Sequence, residues 1–377
     1  MIEDSILANP PLLFIGEAFG DDEAHLNAPF VGSSGMELLR MCDAAGIISF
    51  DSTDRKHVSS FYSSRNPDYT NRIWLRHADA IRRTNVFNIH PPRNDLDFFC
   101  GGKRDALTGW PALSGTRYVR AEFEPELDRL CNEVLELNPN LLVCLGNTPL
   151  WALNGRTAIT KWRGATNIST HCVTGYKLLP TYHPAAVLYQ YSLRPTAIAD
   201  LQKALRESSY PDLRRPQREI WIEPTLDDVA TFIAGIQPDT CDVLSVDIET
   251  SGKRITCIGL APNSGLAIVI PFDDERAAMG SYWPTAETER QVWQLVAGVL
   301  GDSRIPKLFH NGLYDIPFLW RSMRIKVVGA LHDTMLLMHS LQPESLKSLG
   351  YCGSLFADEC AWKNLGSHHR TIKRDDV

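Results

Sequence analysis

Along the first 208 residues, short apolar runs alternate with stretches whose apolar residues recur at helical spacing. LLFIG (12–16), TNVFNI (84–89), NLLVCLG (140–146) and KLLPTY (177–182) have strand length, while GMELLRMCDAAGI (35–47) and ELDRLCNEVLEL (126–137) follow the helical period. That alternation predicts a three-layer α/β/α domain with a mainly parallel central sheet and its chemistry at the carboxyl ends of the strands. Two polar stretches, about 48–80 and 93–122, read as irregular insertions over that surface. Beyond residue 241 the pattern changes. DVLSVDIET, RITCIGLAP and GLAIVIPF are successive β-branched runs joined by short turns, followed by helix, strand and helix. They predict an antiparallel meander leading into α/β elements. Between the halves, the helix-like PTAIADLQKALRES runs into SYPDLRRPQR, whose prolines, serine and arginines read as a linker. The predicted organisation is a domain over 1–208, a linker over 209–218 and a second domain over 219–377.

Composition narrows the class. With 377 residues, 44% apolar and 22% charged, the chain is neither disordered nor fibrous. A net charge of −7 argues against holding nucleic acid through a broad positive field. The charge is not spread evenly, however. Residues 1–218 carry 24 Lys and Arg against 24 Asp and Glu, and the remainder carries 14 against 21, so the whole excess lies in the C-terminal part. The start, MIEDSILANPPLLFIG, has two acids before an apolar run too short for a secretory signal or a membrane span, which predicts a cytoplasmic, non-membrane protein. Nine cysteines, an odd number with no C-x-x-C pair, predict reduced and mostly buried thiols rather than a disulfide framework or a zinc ribbon.

Candidate chemistry clusters in four segments. The first strand runs into Gly16-Glu17-Ala18-Phe19-Gly20-Asp21-Asp22-Glu23 and then Ala28-Pro29-Phe30-Val31-Gly32-Ser33-Ser34-Gly35, placing an acid at a strand end and glycines where backbone approaches a ligand. TNVFNIHPPRN (84–94), LLVCLGNTPLWALNG (141–155) and LLPTYHPAAVL (178–188) follow. Taken singly, each has an ordinary structural explanation: a βα loop, a core Phe30, a strand-end Asn85, a satisfied His183 before proline. In this order, the four resemble the uracil-DNA glycosylase superfamily over about residues 12–206, closest to the group called family 4. The resemblance implies that Glu17 orients the attacking water, Phe30 stacks on an extruded base, Asn85 reads the uracil edge and His183 stabilises charge on the leaving base. It places an apolar wedge at Leu188 and Tyr189. Phosphate contacts are expected from Ser33, Ser34, Arg93 and either Lys161 or Arg163, groups of a kind that position a strand without reading sequence.

Two departures stand out. Phe19 replaces the usual proline of the first motif, which leaves a modified pyrimidine as an alternative to uracil. The relatives also carry four cysteines that hold a [4Fe–4S] cluster. Here no C-x-x-C precedes the first strand, Ile89 stands where a cysteine is expected and helix 126–137 opens on Glu126. No iron–sulfur cluster is therefore expected, and the glycosylase part needs no cofactor. Packing that a cluster would supply is left to other parts, such as the two insertions.

In the second half, Asp247-Ile248-Glu249-Thr250 puts two carboxylates on one face of a strand, the spacing that suits divalent ions. Leu308-Phe309-His310-Asn311-Gly312-Leu313-Tyr314-Asp315 follows, then His332-Asp333-Thr334-Met335 and Glu344-Ser345-Leu346-Lys347-Ser348-Leu349. Together these resemble the DEDD 3′–5′ exonuclease domain of family A DNA polymerases, an RNase H-like α/β fold, over about 219–365. The resemblance implies Asp247, Glu249 and Asp315 as ligands of Mg2+ or Mn2+. Its fourth acid, in a Y-x-x-x-D pattern, does not occur after Asp315, and neither Asp358, Asp375 nor Asp376 has a tyrosine four residues before it. The domain thus lacks its last motif. A truncated polymerase, a degenerate DNA-end-binding domain and a site completed by Asp375 or Asp376 all remain open, and little nuclease activity is expected.

The leading expectation is a uracil-DNA glycosylase acting by base flipping, fused to a 3′–5′ exonuclease-like module in DNA repair or replication. Its partners would be single- or double-stranded DNA containing uracil and a polymerase or other replication proteins, in a bacterial or phage-infected cell. The alternative is a non-catalytic DNA-binding fragment of a phage-type DNA polymerase with its proofreading domain.

Overall fold

The computed structural model describes residues 11–61, 65–277 and 280–357. The chain divides into two compact units: one runs up to Arg214 and takes in the chain from Gly353, and the other spans Arg215–Cys352. Asp358, Asp375 and Asp376 lie outside the described residues.

The first unit contains β1 (Leu12–Ala18), β2 (Ile81–Phe87), β3 (Cys100–Gly101), β4 (Tyr118–Val119), β5 (Leu141–Leu145), β6 (Asn167–Thr170) and β7 (Thr174–Thr181). Five of them form a sheet in the order β2-β1-β5-β7-β6, parallel except for β6 against β7, while β3 and β4 pair in a separate ribbon. Both faces of the sheet are covered, so its central strands read as unbroken apolar runs, and every residue of β5 is buried. The pleat sorts the side chains between two cores. Leu12, Phe14, Leu141 and Val143 pack with helices Ser33–Ala44 and Arg194–Glu207. Leu13, Ile15, Leu142 and Cys144 pack with helices Glu124–Leu137 and Asn147–Asn154.

The expected irregular insertion at 48–80 is instead largely helical. Asp51 and Asp54 form a capping box for helix Ser52–Ser60, and Asn66 caps helix Pro67–Arg76, which buries Ile73 and Trp74. Helix Ser52–Ser60 is short and polar and marked mainly by its caps, whereas Pro67–Arg76 also carries an apolar side with Ile73 and Trp74. The second insertion is irregular as expected, with short 3₁₀ turns and the β3–β4 ribbon. The cysteine expectation also needs correction, because Cys131 and Cys172 form a disulfide across 41 residues. Helix Glu124–Leu137 and the β6–β7 turn, remote in sequence, bring their Cα atoms to 5.5 Å. Cys42, Cys144, Cys241 and Cys352 are free and buried.

The second unit contains β8 (Glu219–Trp221), β9 (Leu244–Ser251), β10 (Arg254–Asn263), β11 (Leu266–Pro271), β12 (Lys307–Phe309) and β13 (Leu331–Asp333), in the order β13-β12-β9-β10-β11-β8. β9, β10 and β11 form the antiparallel meander, β12 joins β9 in parallel and β13 joins β12 in parallel. That is the RNase H-like arrangement, with β8 added in parallel to the β11 edge. Helix Ala286–Gly301 packs Val292, Val296 and Leu300 into its core.

Candidate functional site

Four parallel strands end on one rim of the first unit, and three of them deliver a residue to one cavity there. β1 pairs with β2 so that Gly16 lies opposite Asn85, and β5 pairs with β7 so that Leu145 lies opposite Thr181. Glu17 near the end of β1, Asn85 in β2 and His183 after β7 therefore meet, and they line one cavity of about 340 Å3 with Phe30. Gly16 makes this meeting possible. A Cβ there would lie 2.2 Å from Asn85 Oδ1 and 2.4 Å from Phe30 Cζ.

Phe30 is held with unusual firmness for a loop residue. It is buried with φ 56°, and its carbonyl accepts from Trp74 Nε1 at 2.8 Å. Arg83 Nε donates to Pro29 O at 2.7 Å, and the Glu23 carboxylate accepts from Val31 N at 3.0 Å and Gly32 N at 2.8 Å. Gly35 lies so close beneath that a Cβ would come within 1.8 Å of Phe30 O. Sequence reasoning quoted Glu23 but assigned it nothing, and missed Trp74 and Arg83. Glu23 is buried against the N–H groups of Val31 and Gly32, a placement that only the folded loop shows.

His183 caps helix Pro184–Tyr189, with its Nδ1 accepting from Ala185 N at 3.2 Å. In the neutral ring this leaves the proton on Nε2, so that atom is a donor. Its ring centroid lies 6.1 Å from that of Phe30. Burial lowers its pKa from 6.5 to about 4. Because the folded value lies below the unfolded one, the associated stability is present above pH 6.5 and is lost as pH falls towards 4. Acid unfolding of a His183→Gln variant should therefore lack a loss of up to about 3 kcal/mol over that window. Equal pH dependence of the two proteins in denaturant titrations would contradict this.

Glu17 accepts a hydrogen bond from the Thr148 hydroxyl. Burial raises its carboxyl above the ordinary range, against the lowering effect of Thr148. Ser33, Ser34 and the almost fully exposed Tyr189 line the same cavity. Leu188 is exposed beside Tyr189, and Arg93 is exposed in the loop whose next residue, Asn94, lines the cavity. Arg163 must be withdrawn as a phosphate contact. It is buried, and its guanidinium grips Asp200 through Nε at 2.8 Å and through Nη2. Lys161 is exposed.

Where the family resemblance expects cluster thiolates, the structure offers different chemistry. Glu126 Oε2 accepts from Asn88 N at 2.7 Å and Arg129 Nε at 3.1 Å, next to the hydrocarbon of Ile89. Arg129 also donates to the carbonyls of Asn85 at 2.7 Å and Val86 at 3.2 Å. Over the end of β2, Phe87 stacks on Phe99 with centroids 4.1 Å apart, Phe123 meets both edge-on, and Arg120 lies over Phe98 and Phe123. These carboxylate, guanidinium and aromatic groups do not fit an iron–sulfur cluster, whose irons need thiolates. The second insertion supplies the packing. Phe19 adds a tie that the usual proline lacks, since its N–H donates to Ile89 O at 3.3 Å.

In the second unit, Asp247 and Glu249 are exposed on one face of β9. Asp315, on helix Gly312–Met323, turns back to β9 so that Oδ1 accepts from Ile248 N at 3.2 Å. Burial, with the Asp247 charge nearby, pushes the Asp315 carboxyl up to about 6 despite that bond. Asp333 is committed to backbone N–H groups of Asn311, Gly312, Met335 and Leu336. Among the described residues, no three His, Cys, Asp or Glu side chains gather as a metal site. Asp247 and Glu249 thus flank the Ile248 N–H from which Asp315 accepts.

The family profile of the uracil DNA glycosylase superfamily matches residues 4–208, more than half of the chain. The chain belongs to the uracil DNA glycosylase superfamily. Among curated relatives, this superfamily member is 26% identical over 197 residues to a type-4 uracil-DNA glycosylase of Archaeoglobus fulgidus, covering 51% of this chain and 74% of that one. It is 25% identical over 247 residues to a DNA polymerase of Bacillus phage SP01, covering 57% of this chain and only 25% of the polymerase. Partial structural overlaps include an RNase D of Trypanosoma brucei in complex with RNA (TM-score 0.26, 16% identity, 34% of this chain and 41% of that one). Another is Brucella melitensis NrnC with bound Mg2+ (TM-score 0.26, 19% identity, 39% and 64%). No helix among the described residues is long and apolar enough to cross a membrane.

Proposed function

We propose that the first unit hydrolyses the N-glycosidic bond of uracil in DNA after flipping the base out of the strand. The observation that carries this reading is the convergence of Glu17, Phe30, Asn85 and His183 on one cavity. An extruded uracil would stack on Phe30, held rigid by Trp74 and Glu23, and would present its edge to the Asn85 amide. The neutral His183 directs Nε2–H towards the departing base, where donation to a uracil carbonyl oxygen stabilises the charge as the bond breaks. Glu17, made more basic by burial, accepts the proton of the attacking water. Ser33 and Ser34 at the cavity suit phosphate contacts, with Arg93 beside them, and Leu188 and Tyr189 stand where a wedge would enter the DNA.

The test uses single- and double-stranded oligonucleotides carrying one uracil, scored for alkali-labile abasic sites. Absence of cleavage on both substrates, or cleavage unchanged by Glu17→Ala and His183→Ala, would defeat the assignment.

For the second unit, the reading best supported is a DNA-end-binding module of exonuclease descent, in a protein that works beside a polymerase in repair or replication. Asp315 accepts from Ile248 N between Asp247 and Glu249, but no acid in a Y-x-x-x-D pattern follows Asp315 in the sequence, and that missing ligand supports the reading. Should divalent ions bind, these three carboxylates would hold them and supply charge for phosphodiester cleavage. Release of nucleotides from single-stranded DNA with Mg2+ or Mn2+ should stay near background. Robust degradation that is lost in Asp247→Ala would overturn this.

A further inference from the structure

On the far side of Glu17 from Phe30 lies a second cavity of about 410 Å3. The second insertion contributes Asp97, Cys100, Ser114 and Arg117 to its wall, and Thr148 contributes from helix Asn147–Asn154. Glu17 lines both cavities. The pleat of β1 explains this position: Gly16 faces Asn85 and Phe30, so the next side chain points to the opposite face, where Thr148 holds it.

We propose that this second cavity is a water chamber, from which the hydrolytic water reaches Glu17 while DNA fills the base cavity. The inference rests on the glycosylase reading. Hydrolysis consumes one water: its oxygen bonds to the sugar C1′, the C1′–N bond breaks with its electron pair going to the base, and the water's proton passes to Glu17. The base anion, held by His183, later takes a proton from solvent. An extruded nucleotide in the cavity of about 340 Å3 excludes bulk water from that side, so the nucleophile needs another source. At roughly 30 Å3 per water, the second cavity has room for on the order of ten. Its hydroxyls, from Thr148 and Ser114, suit water. Its charges disfavour a DNA phosphate, because Arg117 is already paired with Asp97 and Glu17 is the remaining charge.

Two independent plugs test the chamber. One is Ser114→Trp at its rim. The other is the Cys100 thiol, which is free and partly exposed, carrying methanethiosulfonate adducts of increasing size, attached at alkaline pH and verified by mass. Single-turnover uracil release should fall about tenfold or more, and further with larger adducts, while Kd for uracil-containing DNA changes less than about twofold. Cys100→Ser should keep its rate and be indifferent to the reagents. Rates unaffected by either plug would overturn the chamber, as would DNA binding lost in step with the rate, which would make the cavity a DNA contact. An unmodified protein that releases no uracil would remove the glycosylase reading and the chamber with it, whereas an active protein indifferent to both plugs would remove the chamber alone.

Discussion

Glu17→Gln should lower the single-turnover rate of uracil release by about two to four orders of magnitude, with DNA affinity nearly unchanged. The substitution keeps the size of the side chain and leaves an oxygen to accept from Thr148, so the cavity survives and only basicity is lost. On the proposed mechanism, activity should require Glu17 as the carboxylate. Since burial raises its pKa, the rate should fall as pH drops through a value above 4.5, the ordinary glutamate value. His183 does not set that limb, because it stays neutral down to about pH 4. Thr148→Val removes the one bond that lowers Glu17 and should move the limb to still higher pH. A pH profile unchanged in Thr148→Val, or a Glu17→Gln protein as fast as the native one, would show that another group handles the water.

A single methyl group at Gly16 should be nearly as damaging, although Gly16 does no chemistry. Its Cβ would overlap Asn85 Oδ1 at 2.2 Å and Phe30 Cζ at 2.4 Å. Neither neighbour has space to retreat, since Asn85 is 2% and Phe30 4% exposed, and the Phe30 backbone is fixed by Trp74 and by contact with Gly35. Overpacking of this kind costs about 1–3 kcal/mol in stability. Displacement of the base-reading amide or the stacking ring should reduce kcat/KM about 100-fold. Thermal melting and steady-state kinetics on Gly16→Ala read the two effects separately. Native-like kinetics in a folded Gly16→Ala protein would mean that Asn85 and Phe30 do not form the base site.

Most of the first sheet was legible because burial on both faces leaves an unbroken apolar signature, as in LLFIG and LLVCL. The meander of β9, β10 and β11 was legible for a different reason: successive β-branched runs with short turns have few other ways to fold. Helix Ser52–Ser60 escaped because it is almost wholly polar and its caps alone are weak signals, while the apolar side of Pro67–Arg76, with Ile73 and Trp74, was legible and was passed over in a short segment of polar composition. Site residues on strand ends could be proposed from motif order. Their supports could not, because Trp74, Arg83 and Arg129 act through backbone groups far away in sequence, and the hold of Glu23 on Val31 and Gly32 depends on how the intervening loop folds. Arg163 shows the reverse error, a surface contact inferred from charge where the fold buries the guanidinium against Asp200.

By itself, the sequence determined the parallel sheet, the strand-end carboxylate and histidine, and the absence of cysteines from the positions where the family resemblance expects cluster ligands. These follow from local period, residue chemistry and order, which need no knowledge of long-range contacts. Tertiary structure shifted the titration of both groups, since burial raises Glu17 and lowers His183. It also decided what replaces the missing cluster ligands, namely Glu126, Arg129 and the Phe87–Phe99–Phe123 stack. Finally, it placed Glu17 between two cavities, because strand pairing and pleat fix where a side chain points only once the neighbouring strands and the insertion have packed around it.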